Sequence, residues 1–259
     1  MAVKTSTRNL GMKRGIGLLL VGVAAIAIAT FTVFRGQGQD QVKIKQEQPT
    51  IIQEGQISDK QKQHGKLFKH PGTKLKDLAA RQGGDITVEE GTGLVMVMPE
   101  TRPLRPVFQS ALCNADLVVI GMMTDKSSQL TEQENFVFTD YQVSIEEVLK
   151  NSSPMPIKVG DMVTTTRDGG VVQLNGRVFQ AKRDDFDAPV LGQPYLLFLR
   201  FIPTTSSYVM YGNGTFELGA QRVQALGPGA RDEIAKQGLT TSSAFLAHVR
   251  SFAAADCGK

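Results

Sequence analysis

The sequence predicts a mainly β protein, in which a small closed barrel is followed by C-terminal helices and preceded by a membrane-spanning segment and a flexible tether. Three observations predict this architecture. Short apolar runs separated by turn residues recur between residues 106 and 226. A run of helical periodicity closes the chain. One long uncharged apolar run lies near the N-terminus.

The N-terminal apolar run spans residues 15–34, directly after a basic tail at 1–14. Twenty helical residues rise about 30 Å, enough to cross a hydrocarbon core. Positive charge on the first flank predicts a cytoplasmic tail and a C-terminal domain outside the cytoplasm. A cleaved signal peptide is the alternative, with a small-x-small site at residues 27–29, and would yield a secreted protein. The apolar run continues through Phe34, which favours an uncleaved anchor in the cell membrane.

Residues 35–65 are polar and rich in glutamine, which predicts a flexible tether because such a segment buries little apolar surface. Residues 1–80 carry thirteen basic and five acidic side chains, whereas the remainder carries sixteen and twenty. The basic excess therefore belongs to the membrane-proximal part. The folded part shows no dense cationic face, so nucleic acid is not predicted as a partner.

Residues 66–105 predict a small pre-domain with one helix and one hairpin. Leu75, Leu78 and Ala79 give a helical apolar stripe, and Gly83-Gly84 ends it. The hairpin arms are predicted at residues 86–89 and 94–98, joined by a turn that contains two glycines.

The predicted barrel occupies residues 106–226. After a short helix at 107–114, strands are expected at 117–120, 136–150, 162–167, 171–174, 177–181, 195–202, 207–211 and 215–218. Asn175-Gly176 predicts a type I′ hairpin turn, because both central residues need positive φ. Residues 227–259 predict two helices, the second with Phe245, Val249 and Phe252 on one face that packs on the open end or the side of the barrel.

The run 136–150 changes the parity of its apolar residues. Phe136 and Phe138 occupy even positions, the apolar residues at 141–145 occupy odd ones, and Val148 is even again. A strand with one buried face keeps one parity, so each change predicts a β-bulge that lets the strand coil. Gly121 is predicted to mark another bulge. An amphipathic helix is the competing interpretation of residues 144–150.

Several motifs together resemble those of uncharacterised exported bacterial domains and, more remotely, the netrin and metalloprotease-inhibitor family of OB-like Greek-key barrels. The motifs lie within residues 110–226: Cys113-x-x-Asp116 followed by LVVIG, the YxVxIEEVLK strand, a Gly-Asp turn, and GxxYLLFL. The resemblance implies an OB-like fold. In those inhibitors a cysteine at the mature N-terminus chelates zinc through its free amine. Cys113 lies inside the chain, so the resemblance implies fold and not this chemistry.

Two cysteines in a chain outside the cytoplasm predict a disulfide between Cys113 and Cys257, which would tie the last helix to the start of the barrel. Two separate thiols, or pairing between molecules, are the alternatives.

Candidate catalytic and metal-binding residues are few. His64, His70 and His248 form no ligand pattern in the sequence, and no serine-nucleophile motif occurs. Glu146 and Glu147 are interpreted as exposed residues at a bulge.

The acidic loop is the one candidate ligand site. Asp184, Asp185 and Asp187 have a spacing that can gather calcium, although Lys182 and Arg183 offer simple charge neutralisation. Calcium is the only cofactor that the sequence suggests, and no metal site is otherwise predicted.

These features predict a membrane-tethered, non-catalytic, extracytoplasmic binding or envelope-interaction module. Loops near residues 127–135 and 181–189 would recognise an envelope protein or glycan. An envelope hydrolase that uses loop carboxylates is the alternative.

Overall fold

A computed structural model describes residues 49–51, 57–90 and 107–253. Residues 1–44 form a separate unit that lies outside the described part, and the elements below belong to the unit of residues 45–259. The predicted anchor at 15–34, the second hairpin arm at 94–98 and Cys257 therefore also lie outside the described residues. Within the described ranges, no helix is long and apolar enough to cross a membrane.

Five strands close into a ring. They are β3 (Leu117–Leu130), β4 (Val137–Asn151), β5 (Met162–Asp168), β8 (Pro194–Ile202) and β9 (Ser207–Leu218). Antiparallel pairing joins β5 to β4, β4 to β3, β3 to β8 and β8 to β9. A short parallel contact between β5 and β9 closes the ring, with Thr165 opposite Tyr208. The short strand β10 (Val223–Ala225) adds to β9. The predicted mainly β class is confirmed.

The long strand β4 coils through bulges. Of the two bulges predicted from its apolar parity, the one before Val148 is confirmed. Register with β3 shifts between Ile120 and Gly121, where β4 contributes the extra residue Glu146, and again between Val118 and Val119. A Cβ on Gly121 would lie 2.7 Å from the Ser144 carbonyl oxygen, so the close approach of the strands there requires glycine.

The bulge predicted between Phe138 and Tyr141 is wrong. Pairing of β4 with both β3 and β5 is regular there. Both faces of this stretch are buried, since Tyr141 points into the ring while Phe138 stacks on Phe68 at the outer face. Apolar residues of both parities therefore fit a regular strand.

A second sheet has the order β1-β6-β7-β2. Its strands are β1 (Thr50–Ile51), β6 (Gly170–Leu174), β7 (Arg177–Arg183) and β2 (Ile86–Glu90). The hairpin of β6 and β7 turns at Asn175 and Gly176 with φ of 51° and 77°, which confirms the predicted turn.

The predicted pre-domain packs on this second sheet. β2 pairs in parallel with β7, and helix α2 (Leu75–Gln82) buries Leu75 and Ala79 against Val172 and Phe179. A segment of this length has too small a core of its own, so it is stabilised by apolar surface from the barrel region.

Three helices cover one outer side of the ring: α3 (Val107–Asn114), α4 (Pro228–Lys236) and α5 (Ser242–Ala253). The predicted C-terminal helices are confirmed. Phe245 and Val249 of α5 are fully buried and Phe252 is partly buried, on the predicted shared face. Phe245 contacts Phe216 of β9, whose side chain lies outside the ring, so α5 packs on the side of the ring rather than on its open end.

Buried tyrosines inside the ring predict sensitivity to alkali. Burial raises the pKa of Tyr195, and also that of Tyr208. A group with a raised pKa in the folded state stabilises the fold fully below its unfolded pKa of about 10, and this contribution is lost as pH rises above that value. We expect the urea midpoint to fall less steeply between pH 10 and 11.5 for Tyr195→Phe than for the wild type. Far-UV circular dichroism follows the unfolding. The same dependence of the urea midpoint on pH in both proteins would contradict this assignment.

Candidate functional site

A cluster of buried polar side chains lies beside a short helix, α1 (Asp59–Gly65), which falls where the sequence predicts a flexible tether. The tether prediction is wrong for this end of the segment. Ser58 and Gln61 form a reciprocal capping box that starts the helix, with the Ser58 hydroxyl accepting from the Gln61 backbone N–H. The helix then places His64 against the ring with none of its surface exposed.

A chain of hydrogen bonds runs through His64. Its Nδ1 lies 2.8 Å from Asp140 Oδ1 of β4, and its Nε2 lies 2.7 Å from Ser207 Oγ and 3.0 Å from Thr205 Oγ1. The Thr205 and Ser207 hydroxyls lie 2.6 Å apart. In the tautomer with its proton on Nδ1, the ring donates to the Asp140 carboxylate and its Nε2 accepts from a hydroxyl.

The order of carboxylate, imidazole and hydroxyl is that of a Ser-His-Asp triad. A working triad needs a hydroxyl that can reach a substrate carbonyl. Ser207 and His64 are both fully buried, and Asp140 is 7 % exposed. Neither of the two grooves beside α1 is lined by Ser207, His64 or Thr205. In this conformation the hydrogen bonds of His64 therefore hold α1 on the ring, and they do not present a nucleophile to a substrate.

A smaller groove of about 180 Å³ lies on one side of α1. Lys60 and Gln61 of the helix face polar residues of three ring strands, among them Asp125, Asp140 and Thr164. Lys60 Nζ donates to Thr164 Oγ1 at 3.0 Å. Burial lowers the pKa of Lys60, an effect that the charge of Asp140 partly offsets.

A larger groove of about 580 Å³ lies on the other side of α1. The connection between β3 and β4 forms one side of this groove. The loop predicted at residues 127–135 begins later than expected, because β3 extends to Leu130, and its role in binding stays a prediction. The lining of the groove as a whole combines charges of both signs with apolar side chains: Lys62, Lys66, Lys76, Glu132, Glu134, Leu130 and Leu174. Gln129 also lines this groove, although its buried Oε1 atom has no hydrogen-bond partner among the described residues.

The three carboxylates of the predicted calcium loop do not converge. Asp185 pairs with Arg183, whose Nε lies 3.0 Å from its Oδ1, and Asp187 pairs with Arg231 of α4. Asp184 is exposed. Across the described ranges, no group of three histidine, cysteine or acidic residues could hold a metal ion. Asp185 and Asp187 act instead as ion-pair partners of Arg183 on β7 and Arg231 on α4.

The remaining histidines, Glu147 and Cys113, which the sequence suggests as candidates, lie at structural positions. His70 stacks on Phe136 with ring centroids 3.8 Å apart, and His248 packs against Phe252. Glu147 binds Arg250 of α5 at 2.8 Å. Cys113 lies near the end of α3, and its predicted partner Cys257 falls outside the described residues, so the disulfide stays a prediction.

Sequence reasoning missed α1 and the role of His64. One local signal was present, since Ser58 and Gln61 have the spacing of a capping box. The partners of His64 lie 76 to 143 residues away along the chain, so no local pattern could identify them.

A scan against models of protein families finds no match to this chain. A search of curated proteins likewise finds no matching sequence.

Proposed function

We propose that this chain is a membrane-tethered, non-catalytic, extracytoplasmic binding module built on an OB-type barrel, and that it recognises a segment of an envelope protein beside α1. The closed ring supports the OB-type assignment. Counted along the chain, its five strands pair in the order first, second, third, fifth and fourth, with one parallel contact between the third and fifth. OB-type barrels bind ligands on the face of their second and third strands and with the loops that follow strands one and four.

The observation that carries the proposal is the position of α1 with respect to that face. The second and third ring strands are β4 and β5, and α1 contacts both, through Asp140 and Thr164. It also contacts the loop after β3, where Glu132 N–H donates to the Gly65 carbonyl, and the loop after β8, through Thr205. The smaller groove lies between α1 and this face, and the larger groove lies between α1 and the loop after β3.

The chemistry of the larger groove favours a protein segment over a glycan. Its lining combines lysines, glutamates and the apolar side chains of Ile57, Leu130 and Leu174. No aromatic ring is among the described residues that line either groove, so a sugar would find no stacking platform there. Mixed charge around apolar contacts suits a peptide that carries both signs of charge.

The proposed setting is the outer side of a cell membrane. The uncharged run at 15–34 would anchor the chain, and the part of the tether before β1 would hold the domain off the surface. A disulfide between Cys113 and Cys257 would fasten the end of the chain to α3 in this oxidising compartment. The hydrolase alternative needs two loop carboxylates that converge in one pocket, and in the acidic loop Asp185 and Asp187 are each paired with a different arginine, which favours the binding function.

Site-specific photo-crosslinking of the full chain in its native membrane tests this proposal. A photoreactive residue at Lys66, on the wall of the larger groove, should give one defined protein adduct. The same residue at Gln237, exposed at the end of α4, should not give this adduct. The purified partner should bind the wild-type chain and lose about tenfold in affinity on Glu132→Lys, because a rim charge of the groove is reversed. Identical adducts from both positions, or unchanged affinity on charge reversal, would refute the proposal.

A further inference from the structure

Helix α1 is held on the ring almost entirely by polar contacts. Its sequence, DKQKQHG, contains no aliphatic or aromatic hydrocarbon side chain, and only His64 and Gly65 are buried. Lys60 Nζ donates to Thr164 Oγ1, and Gln61 Nε2 donates to Ser127 Oγ at 3.1 Å. His64 is hydrogen-bonded to Asp140 through Nδ1. Little hydrophobic free energy therefore attaches α1 to the molecule.

The helix is also too short to persist alone. Seven residues are fewer than the 12–15 or so at which isolated helices become marginally stable in water. Its capping box closes the first turn but cannot supply the missing packing energy. Breaking the His64 contacts removes the buried part of this docking, and a seven-residue helix released from the ring has no packing to keep it helical. The apolar cores contain no α1 residue, so they do not depend on it.

Gln61 lines both grooves, so α1 is the wall that divides them. Release of α1 would join the two grooves into one surface that extends from β5 across β4 and β3 to the loop after β3. That surface would include Asp140 and Gln142 of β4 and Thr164 of β5, which α1 now borders or contacts.

We propose that α1 is a strap that opens independently of the ring, with His64 as its latch, and that its opening enlarges the binding surface on β4 and β5. The significance of the enlarged surface rests on the proposed binding function. The opening itself does not, because it follows from the contacts of α1 alone.

Hydrogen exchange of the purified full chain, measured by mass spectrometry, tests the opening. In the wild type, peptides covering residues 59–66 should exchange faster than peptides of β4, by a route that low urea concentrations do not accelerate. His64→Asn should speed exchange of residues 59–66 by about 10- to 100-fold, because it removes hydrogen bonds to a carboxylate, and should leave β4 unchanged. Lys62→Asn, on the exposed side of the same helix, is the matched control and should have a much smaller effect.

Two results would overturn the strap. One is exchange of α1 and β4 at the same rate with the same urea dependence. The other is equal acceleration of both by His64→Asn, which would mean that α1 opens only when the ring unfolds.

A second measurement separates this proposal from the binding function. A photoreactive residue at Gln142, beside α1 on β4, should give a stronger partner adduct in the His64→Asn background than in the wild type. If α1 exchanges independently of β4 but the Gln142 adduct is equally strong in both backgrounds, α1 opens as proposed and its opening does not affect binding. Absence of any adduct from both Gln142 and Lys66 would refute the binding function while the exchange result still decides the strap.

Discussion

Replacing Phe245 with alanine is expected to lower the free energy of unfolding by about 3–5 kcal/mol. The ring of Phe245 is fully buried and lies 4.8 Å from that of Phe216 and 5.5 Å from that of Phe108. Truncation would remove its transfer free energy and leave a cavity where α5 meets the ring. Urea unfolding followed by far-UV circular dichroism measures the change.

Ser243→Ala on the same helix is the control for Phe245. Ser243 is exposed, so its replacement should change stability by less than about 0.5 kcal/mol. A loss below about 1 kcal/mol for Phe245→Ala would mean that α5 contributes little to the core, in conflict with the packing of its aromatic face.

Gly170→Ala is expected to destabilise the protein by about 3–4 kcal/mol, through backbone strain and overpacking together. Gly170 has a φ of 145°, which L-residues rarely adopt. An added Cβ would overlap Thr139 Oγ1 and lie 2.9 Å from Ser128 Oγ, at the point where β6 crosses β3 and β4. Those two hydroxyls bond each other at 2.8 Å, so neither can move without breaking a buried contact.

Gly176→Ala separates strain from overpacking. Gly176 also has a positive φ, 77°, but nothing lies within 4 Å of the position that an added Cβ would take at the hairpin tip. Its replacement should cost about 1–2 kcal/mol, for the left-handed backbone alone. Equal urea midpoints for the two variants would show that the Thr139 and Ser128 side chains can move to accommodate the added methyl group without loss of stability.

Local patterns predicted most strands because their causes are local. The Asn175-Gly176 turn requires positive φ at both residues, and this requirement is visible in two letters of sequence. The bulge at Gly121 could be predicted for a similar reason. The bulge proposed after Phe138 failed because parity reports only that a side chain is apolar. It does not report that a second layer, here Phe68, covers the other face of the strand.

The candidate site was not predictable in the same way. Composition measures how much apolar surface a segment can bury, and by that measure residues 58–65 belong to a tether. The segment is ordered instead by a few polar contacts, above all those of His64 with Asp140 and Ser207. Likewise, the spacing of Asp185 and Asp187 predicted a shared ligand, whereas each lies beside a different arginine.

The sequence by itself determined the mainly β class, the principal turns and the apolar face of α5, since each depends on residues close together in the chain. Only the tertiary structure decided how the ring closes, because the contact of Thr165 with Tyr208 joins strands that share no local signal. It also decided that a polar, glutamine-rich segment docks as α1 between two grooves. Hydrogen bonds of a buried histidine depend on geometry that the fold creates, so they have no counterpart in the pattern of the chain.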